Sequence, residues 1–217
     1  MPNWTFNEVS CKKYIADKML TKKDGKYIFD FNKLIKMPKE LSIECSSSGE
    51  AGLMYLYAIC DNKREKAIIN KAYKSCNMFF SDIQKSKRYK SMKKDLKSFE
   101  KTDDFKKCVK LGKSYLDNYK KYGYCNWYLW CVENWGTKWN INEEVSVEST
   151  GDKYRISFDT AWSVPYEIAK KCFSFCKSDK DLYWDYENED FDGYHHLYLK
   201  DGVIKDRVSN KYIDYER

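Results

Sequence analysis

The chain has 217 residues, 42% of them apolar, 17% aromatic and 34% charged, with a formal net charge of +7. That length suits one large domain or two small ones, and the apolar content excludes a disordered chain. The longest uncharged apolar run, GLMYLYAIC from Gly52 to Cys60, is about half of the roughly 20 residues a spanning helix needs, and MPNWTFNEVS lacks a basic and an apolar leader region. Membrane and secreted classes are therefore excluded, and a cytoplasmic protein is expected.

Taken in chain order, Pro2 to Cys11 reads as a strand, with Trp4, Phe6 and Glu8 on one face and Thr5, Asn7 and Val9 on the other. Tyr14, Ile15, Lys18 and Met19 give a short helix one partly apolar side, and Asp24-Gly25 closes it. A second strand follows over Lys26–Ile35, ended by Pro38. Arg64 to Gln84 places Ile68, Ile69, Ala72, Tyr73, Cys76, Phe79, Phe80 and Ile83 at helical spacing. Lys85 to Ser98 is strongly basic and poor in apolar residues, so it forms an exposed helix or connection. Thr102, with Asp103 and Asp104, then reads as the N-cap and acidic first turn of a helix whose stripe runs from Phe105 to Tyr119 and whose stop is Lys120, Lys121 and Gly123.

Four tryptophans follow, Trp127, Trp130, Trp135 and Trp139. Glu144–Glu148 and Tyr154–Trp162 alternate as strands about a Thr150-Gly151-Asp152 turn. Ser163 and Pro165 open a helix carrying Ile168, Ala169, Cys172, Phe173 and Cys176 on its buried stripe. Strands over Leu182–Tyr186 and Tyr194–Leu199 flank an acidic connection. Strand, helix, strand thus occurs twice, which predicts an α+β fold: a ferredoxin-like antiparallel sheet forming a single domain over 1–217, with a helical insertion over 61–123.

Charge is uneven. Between Asp61 and Lys121 there are 19 Lys/Arg against 8 Asp/Glu, net +11, which leaves the remainder at −4. Clustered cations suit nucleic acid or an acidic protein surface, and Lys85, Lys87, Arg88, Lys90, Lys93 and Lys94 are the contacts expected there. The competing reading is a solvated helix face, because lysine far outnumbers arginine and bidentate phosphate recognition favours arginine. Nine cysteines, an odd count at spacings unlike paired metal ligands, read as reduced thiols used mainly as small core hydrophobes, so no metal is expected.

Four stretches go further: MPNW at the start, FDFNKLIKMPKEL from Phe29 to Leu41, WYLWCVENWGTKWN from Trp127 to Asn140, and FDTAWSVP from Phe158 to Pro165. In this order they resemble the YubB-type ferredoxin-like family of phage and plasmid proteins, with its NWGTKW and TAWS signatures. The sequence departs from the family at Lys36 and Val164, where proline is frequent. The resemblance implies a mobile-element origin and a ferredoxin-like domain, but no chemistry.

No phosphate loop, dinucleotide fingerprint, HExxH or GxSxG occurs in the sequence, and the aromatic run of an RNA-recognition sheet is missing. Asp185, Glu187, Glu189, Asp190 and Asp192 read as a solvated acidic loop, and His195 and His196, adjacent on a strand, face opposite sides. The expectation is a non-enzymatic protein without a cofactor, which interferes with a host factor through its basic helices or an exposed face. The partner expected is a host protein or ribonucleoprotein of a nucleic-acid-directed defence, or nucleic acid itself, and no membrane. The alternative is a module that stacks a nucleotide-like molecule against Trp135, Lys138, Trp139 and Trp162, with aromatic stacking as the source of affinity. Against that stands a corner in which Gly136 permits a turn and the indoles close the core.

Overall fold

A computed structural model of the chain describes residues 3–76, 81–141 and 143–211. The fold is α+β, and it divides into two compact units: Met1–Lys36 with Cys131–Arg217, and Met37–Trp130. No described helix is long and apolar enough to cross a membrane. Pro2, Phe79 and Phe80 of the expected elements lie outside the described residues.

The first unit is built on a six-stranded antiparallel sheet. Its strands are β1 (Trp4–Lys12), β5 (Ser146–Thr150), β6 (Lys153–Ala161), β7 (Leu182–Asn188), β8 (Tyr194–Lys200) and β9 (Val203–Ser209), in the order β5-β6-β1-β7-β8-β9. α8 (Tyr166–Phe173) connects β6 to β7, and β1 lies between those two strands, antiparallel to both. Alternation along β1 decides which face is dry. Thr5, Asn7, Val9 and Cys11 are buried, while Trp4 and Phe6 are exposed. The dry face continues through Ile156, Phe158, Trp184 and Leu197, and the core of this unit also holds Ile15 and Met19 of α1 (Lys13–Met19) and Ile168, Cys172 and Phe173 of α8. Asn7 is a polar residue on that face. Its amide donates to Thr160 Oγ1 and the Thr5 carbonyl, both at 2.9 Å, and its oxygen accepts from Trp184 Nε1 at 3.0 Å, so burial leaves nothing unpaired.

Three expectations about this unit are corrected. The second strand over Lys26–Ile35 is only β3 (Lys26–Phe29). It belongs to a separate three-stranded sheet, β2 (Leu20–Lys23), β3 and β4 (Glu143–Glu144), and Asp30 then caps a 3-10 turn over Phe31–Lys33. Asp24-Gly25 is accordingly the turn of the β2–β3 hairpin rather than the end of the first helix. In the main sheet β5 pairs with β6 through the turn at Gly151, the hairpin expected from the alternation about Thr150-Gly151-Asp152. The third correction concerns Asp185, which is buried within β7 and not in a solvated loop: its Oδ1 lies 2.8 Å from His196 Nδ1. His196 is itself buried, and burial, reinforced by the nearby Arg207 charge, holds its imidazole below the usual value. His195 faces the other way and stacks on Tyr186 at 4.4 Å.

The second unit comprises α2 (Ser47–Ile59), α3 (Lys63–Cys76), α4 (Lys87–Lys94), α5 (Leu96–Glu100) and α6 (Phe105–Tyr122), and the expected 61–123 segment lies inside it. α7 (Trp127–Trp135) carries the chain from this unit back into the first. Gly52–Ile59 of the apolar run lies in α2, a core helix with Cys60 as its C-cap and α6 as its partner. The two backbones meet at Gly52 and Gly112, where a Cβ on either would lie under 3 Å from the other helix's backbone. α6 starts from Asp104, not Thr102, and stops at Gly123 in the left-handed conformation.

Candidate functional site

The tryptophan-rich segment and the end of β6 meet through hydrogen bonds. Thr137 is buried and its hydroxyl donates to the Ala161 carbonyl at 2.7 Å, while Ser163 Oγ donates to the Gly136 carbonyl at 2.7 Å. Thr160 Oγ1 donates to the Ser163 carbonyl at 2.9 Å, and the Trp162 amide donates to Asn3 at 2.8 Å. Gly136 has φ 82°, and a Cβ there would fall 2.6 Å from the Tyr166 amide nitrogen, so only glycine fits. The WGTKW and TAWS residues are therefore two sides of one clamp.

What that clamp holds decides which tryptophans face solvent. Trp135 is 2% exposed, packs edge-on against Phe31 and donates its indole N–H to the Ile35 carbonyl at 2.8 Å. It belongs to the core and is removed from the expected stacking set. Trp139 and Trp162, by contrast, are 39% and 45% exposed. The Lys138 ammonium lies between them, 4.5 Å from the Trp139 ring centroid and 4.3 Å from the Trp162 ring centroid. Trp4 adds a third indole, 6.2 Å from Trp139, and Phe6 continues the aromatic row along the same face of β1. Trp4 and Phe6 are the members that sequence reasoning missed. The signal was their alternation with Thr5 and Asn7, which shows two faces without saying which one is wet.

Trp162 has φ 78°, a left-handed conformation that costs a bulky residue on the order of 1–2 kcal/mol. The hydrogen bonds of the clamp hold it there, and the result is an indole presented to solvent. Backbone strain of this kind clusters at functional sites of folded proteins.

The face around this cluster is acidic. Asp159 and Glu187 flank Phe6 directly in the β6-β1-β7 register, and neither makes an ion pair among the described residues. Glu189 accepts from the Trp4 amide at 2.8 Å. Glu8, one step further along, is 3.6 Å from Arg155. Carboxylates in these positions repel phosphate and attract cations.

The expected basic contacts lie in the second unit. Tyr89 and Met92 anchor α4 in the helical core, and Lys87, Arg88, Lys90, Lys93 and Lys94 are exposed, as is Lys85 in the preceding 3-10 turn. Lys85 is 3.9 Å from Asp82, and Arg88 donates to the Ser47 carbonyl at 3.0 Å. A further hollow of about 450 Å³ in the first unit is lined by Lys12, Lys13, Tyr14, Asp152 and Lys177 among others, but its charges are largely matched internally, Lys12 with Asp152 and Lys13 with Asp17. None of the nine cysteines is in a disulfide bond. Burial pushes the thiols of Cys11 and Cys131 up to about 12, and among the described residues no three His, Cys, Asp or Glu side chains are placed to hold a metal ion.

No family model matches the chain, and no curated protein is significantly similar to it. Among solved structures, the chain is similar to the protein api92 from Yersinia pseudotuberculosis, which carries the family model DUF1281. That match has 8% identity and a TM-score of 0.42 over 99% of this chain and all of the other.

Proposed function

We propose that the protein acts by binding, and that its docking surface is the aromatic face of the first unit formed by Trp4, Phe6, Trp139 and Trp162. The observation that carries this is Trp162: a large apolar ring held in an unfavourable backbone conformation, against solvent, by a set of buried and partly buried hydrogen bonds. Amphipathic rings anchor interfaces at low conformational cost, because each indole has only two side-chain torsions to fix. The reading is of a non-enzymatic module that takes a partner on an open sheet face. The ferredoxin-like expectation is supported by the order β5-β6-β1-β7, in which β1 separates the two strands joined by α8.

A second reading has its own observation. α4 turns Tyr89 and Met92 inward and leaves its cations exposed, as a surface for nucleic acid or an acidic ribonucleoprotein requires. The resemblance to phage and plasmid proteins is the ground for taking the partner to be a host factor, such as a component of a nucleic-acid-directed defence. Affinity capture from extract of the cell that makes the protein separates the two. Three baits are compared: the parent, a W139A/W162A variant, and a variant with Lys85, Lys87, Arg88, Lys90, Lys93 and Lys94 reversed to Glu. A partner lost by the tryptophan variant and kept by the charge-reversed one fits the aromatic face, and the opposite pattern refutes it.

A further inference from the structure

The aromatic face already holds a ligand-like group, and that group belongs to the protein. The Lys138 ammonium is seated between two indole faces at 4.5 and 4.3 Å. This is the geometry in which aromatic rings bind a cation, through the negative charge of their faces. One side-chain repeat along β1 from Trp4, the indole beside Trp139, and so about 7 Å from it at the spacing of alternate strand residues, Asp159 and Glu187 lie on either side of Phe6. The face therefore offers a seat shaped for an ammonium and, beside Phe6 on the same face, two carboxylates that make no ion pair among the described residues.

We infer that the occupant of this face is a basic, extended segment of a partner protein, one of whose lysine side chains takes the place of Lys138 between Trp139 and Trp162. A second cation of that segment then meets Asp159 or Glu187. Lys138 acts as the built-in competitor that fills the seat when the partner is absent. The inference rests on the aromatic face being the docking surface and adds to it the chemistry of what docks. Charge decides against a nucleotide or a single-stranded nucleic acid in the same place: stacked bases would bring their phosphates against Asp159, Glu187 and Glu189.

The sign of one substitution tests it. Lys138→Met keeps the aliphatic stem and removes the competing cation, so a lysine ligand binds more tightly, by about the two- to fivefold that an exposed cation–π contact is worth. If Lys138 instead serves to hold a phosphate, the same change weakens binding. The probes are a capped GKGKGKG peptide, its glutamate counterpart GEGEGEG, and a ten-nucleotide oligothymidylate, titrated against the full chain at low salt by indole fluorescence and calorimetry.

The expected result is saturable binding of the lysine peptide, strengthened by K138M, weakened and made less salt-dependent by D159N/E187Q, and lost in W139A/W162A, whose folding is checked by circular dichroism. Binding of the oligothymidylate or the glutamate peptide in preference, or weaker lysine-peptide binding by K138M, overturns the cationic occupant but leaves the aromatic face standing. Lysine-peptide binding that survives in W139A/W162A overturns both. The absence of any response to millimolar lysine peptide in both the parent and K138M overturns the inference.

Discussion

Replacing Gly112 by alanine sets local preference against tertiary contact, with opposite signs. Gly112 lies inside α6, where alanine is favoured over glycine by about 0.8–1.0 kcal/mol, so helix propensity alone predicts a stabilised protein. In the folded unit the added Cβ would lie 2.4 Å from the Gly52 carbonyl carbon, 2.6 Å from Gly52 Cα and 2.8 Å from the Leu53 amide nitrogen. Carbon atoms in contact prefer about 3.5–4.0 Å, and a backbone atom, unlike the end of a side chain, cannot rotate away. α2 and α6 must therefore part by about 1 Å, which forfeits roughly a quarter to a half of the dispersion attraction along the seam. That seam holds Leu53, Cys108, Tyr115 and Leu116, and Tyr115 is further fixed by donating to the Glu44 carbonyl. Overpacking typically costs about 1–3 kcal/mol, and a backbone-to-backbone clash belongs at the upper end. After the gain in propensity, the net loss is about 2 kcal/mol. With a urea slope near 2 kcal/mol/M, the midpoint of unfolding of the helical unit falls by roughly 1 M. Urea titration followed by circular dichroism measures it, with exposed Lys113→Ala as a control that leaves the midpoint nearly unchanged. Gly52→Ala combined with Gly112→Ala costs less than the two single changes together, since one separation relieves both clashes. A midpoint equal to or above that of the parent for Gly112→Ala refutes the close approach.

Three further outcomes are expected. Trp162→Gly is more stable than Trp162→Ala by roughly 0.5–1 kcal/mol, because glycine alone removes the left-handed penalty and part of that gain is lost to its freer unfolded chain; paired thermal melts showing alanine equal or better contradict the strain. Glu40 is drawn down to about 2 by hydrogen bonding to Lys121, so its proton returns first to the unfolded chain; its contribution is present above pH 4.5 and fades as the pH falls towards 2. In Lys121→Met the acid limb of the stability curve is accordingly shallower over that window, and two superimposable curves rule the pairing out. Cys45 is exposed, whereas Cys11, Cys131 and Cys172 are buried with raised thiol values, so a thiol-specific disulfide reagent at pH 8 labels Cys45 first and those three only on unfolding. Mass spectrometry after brief labelling checks the order, and early modification of Cys131 goes against it.

Elements whose periodicity is long and whose ends carry their own signals were legible: β1, β6 and α8 from alternation and spacing, and the end of α6 from Lys120, Lys121 and Gly123. α2 escaped notice because its run GLMYLYAIC is apolar nearly all round, and a helix buried against another shows no polar face to set the period. β9 escaped for the opposite reason: VIKDRVS is an edge strand, mostly exposed, with little hydrophobic contrast. Of the expected aromatic loop, Lys138, Trp139 and Trp162 are together on the surface, and Trp135 is not. Nothing local distinguishes Trp135 from Trp139, since both flank the same Gly-Thr-Lys. The difference is tertiary: Trp135 closes α7, is buried and donates to the Ile35 carbonyl, whereas Trp139 lies beyond the helix and is exposed.

The sequence by itself determined the class of the fold, the order of most elements and the uneven distribution of charge, because these depend on residue spacing and composition along the chain. Only the tertiary structure decided that the 26–29 strand belongs to a separate sheet, that Trp4 and Phe6 are on the wet face, and that Asp159 and Glu187 flank an aromatic row. The surroundings of β1 depend on strand register, and that register is set by residues as far apart as Lys12 and Lys153 or Thr5 and Asn188, whose contact no local pattern encodes.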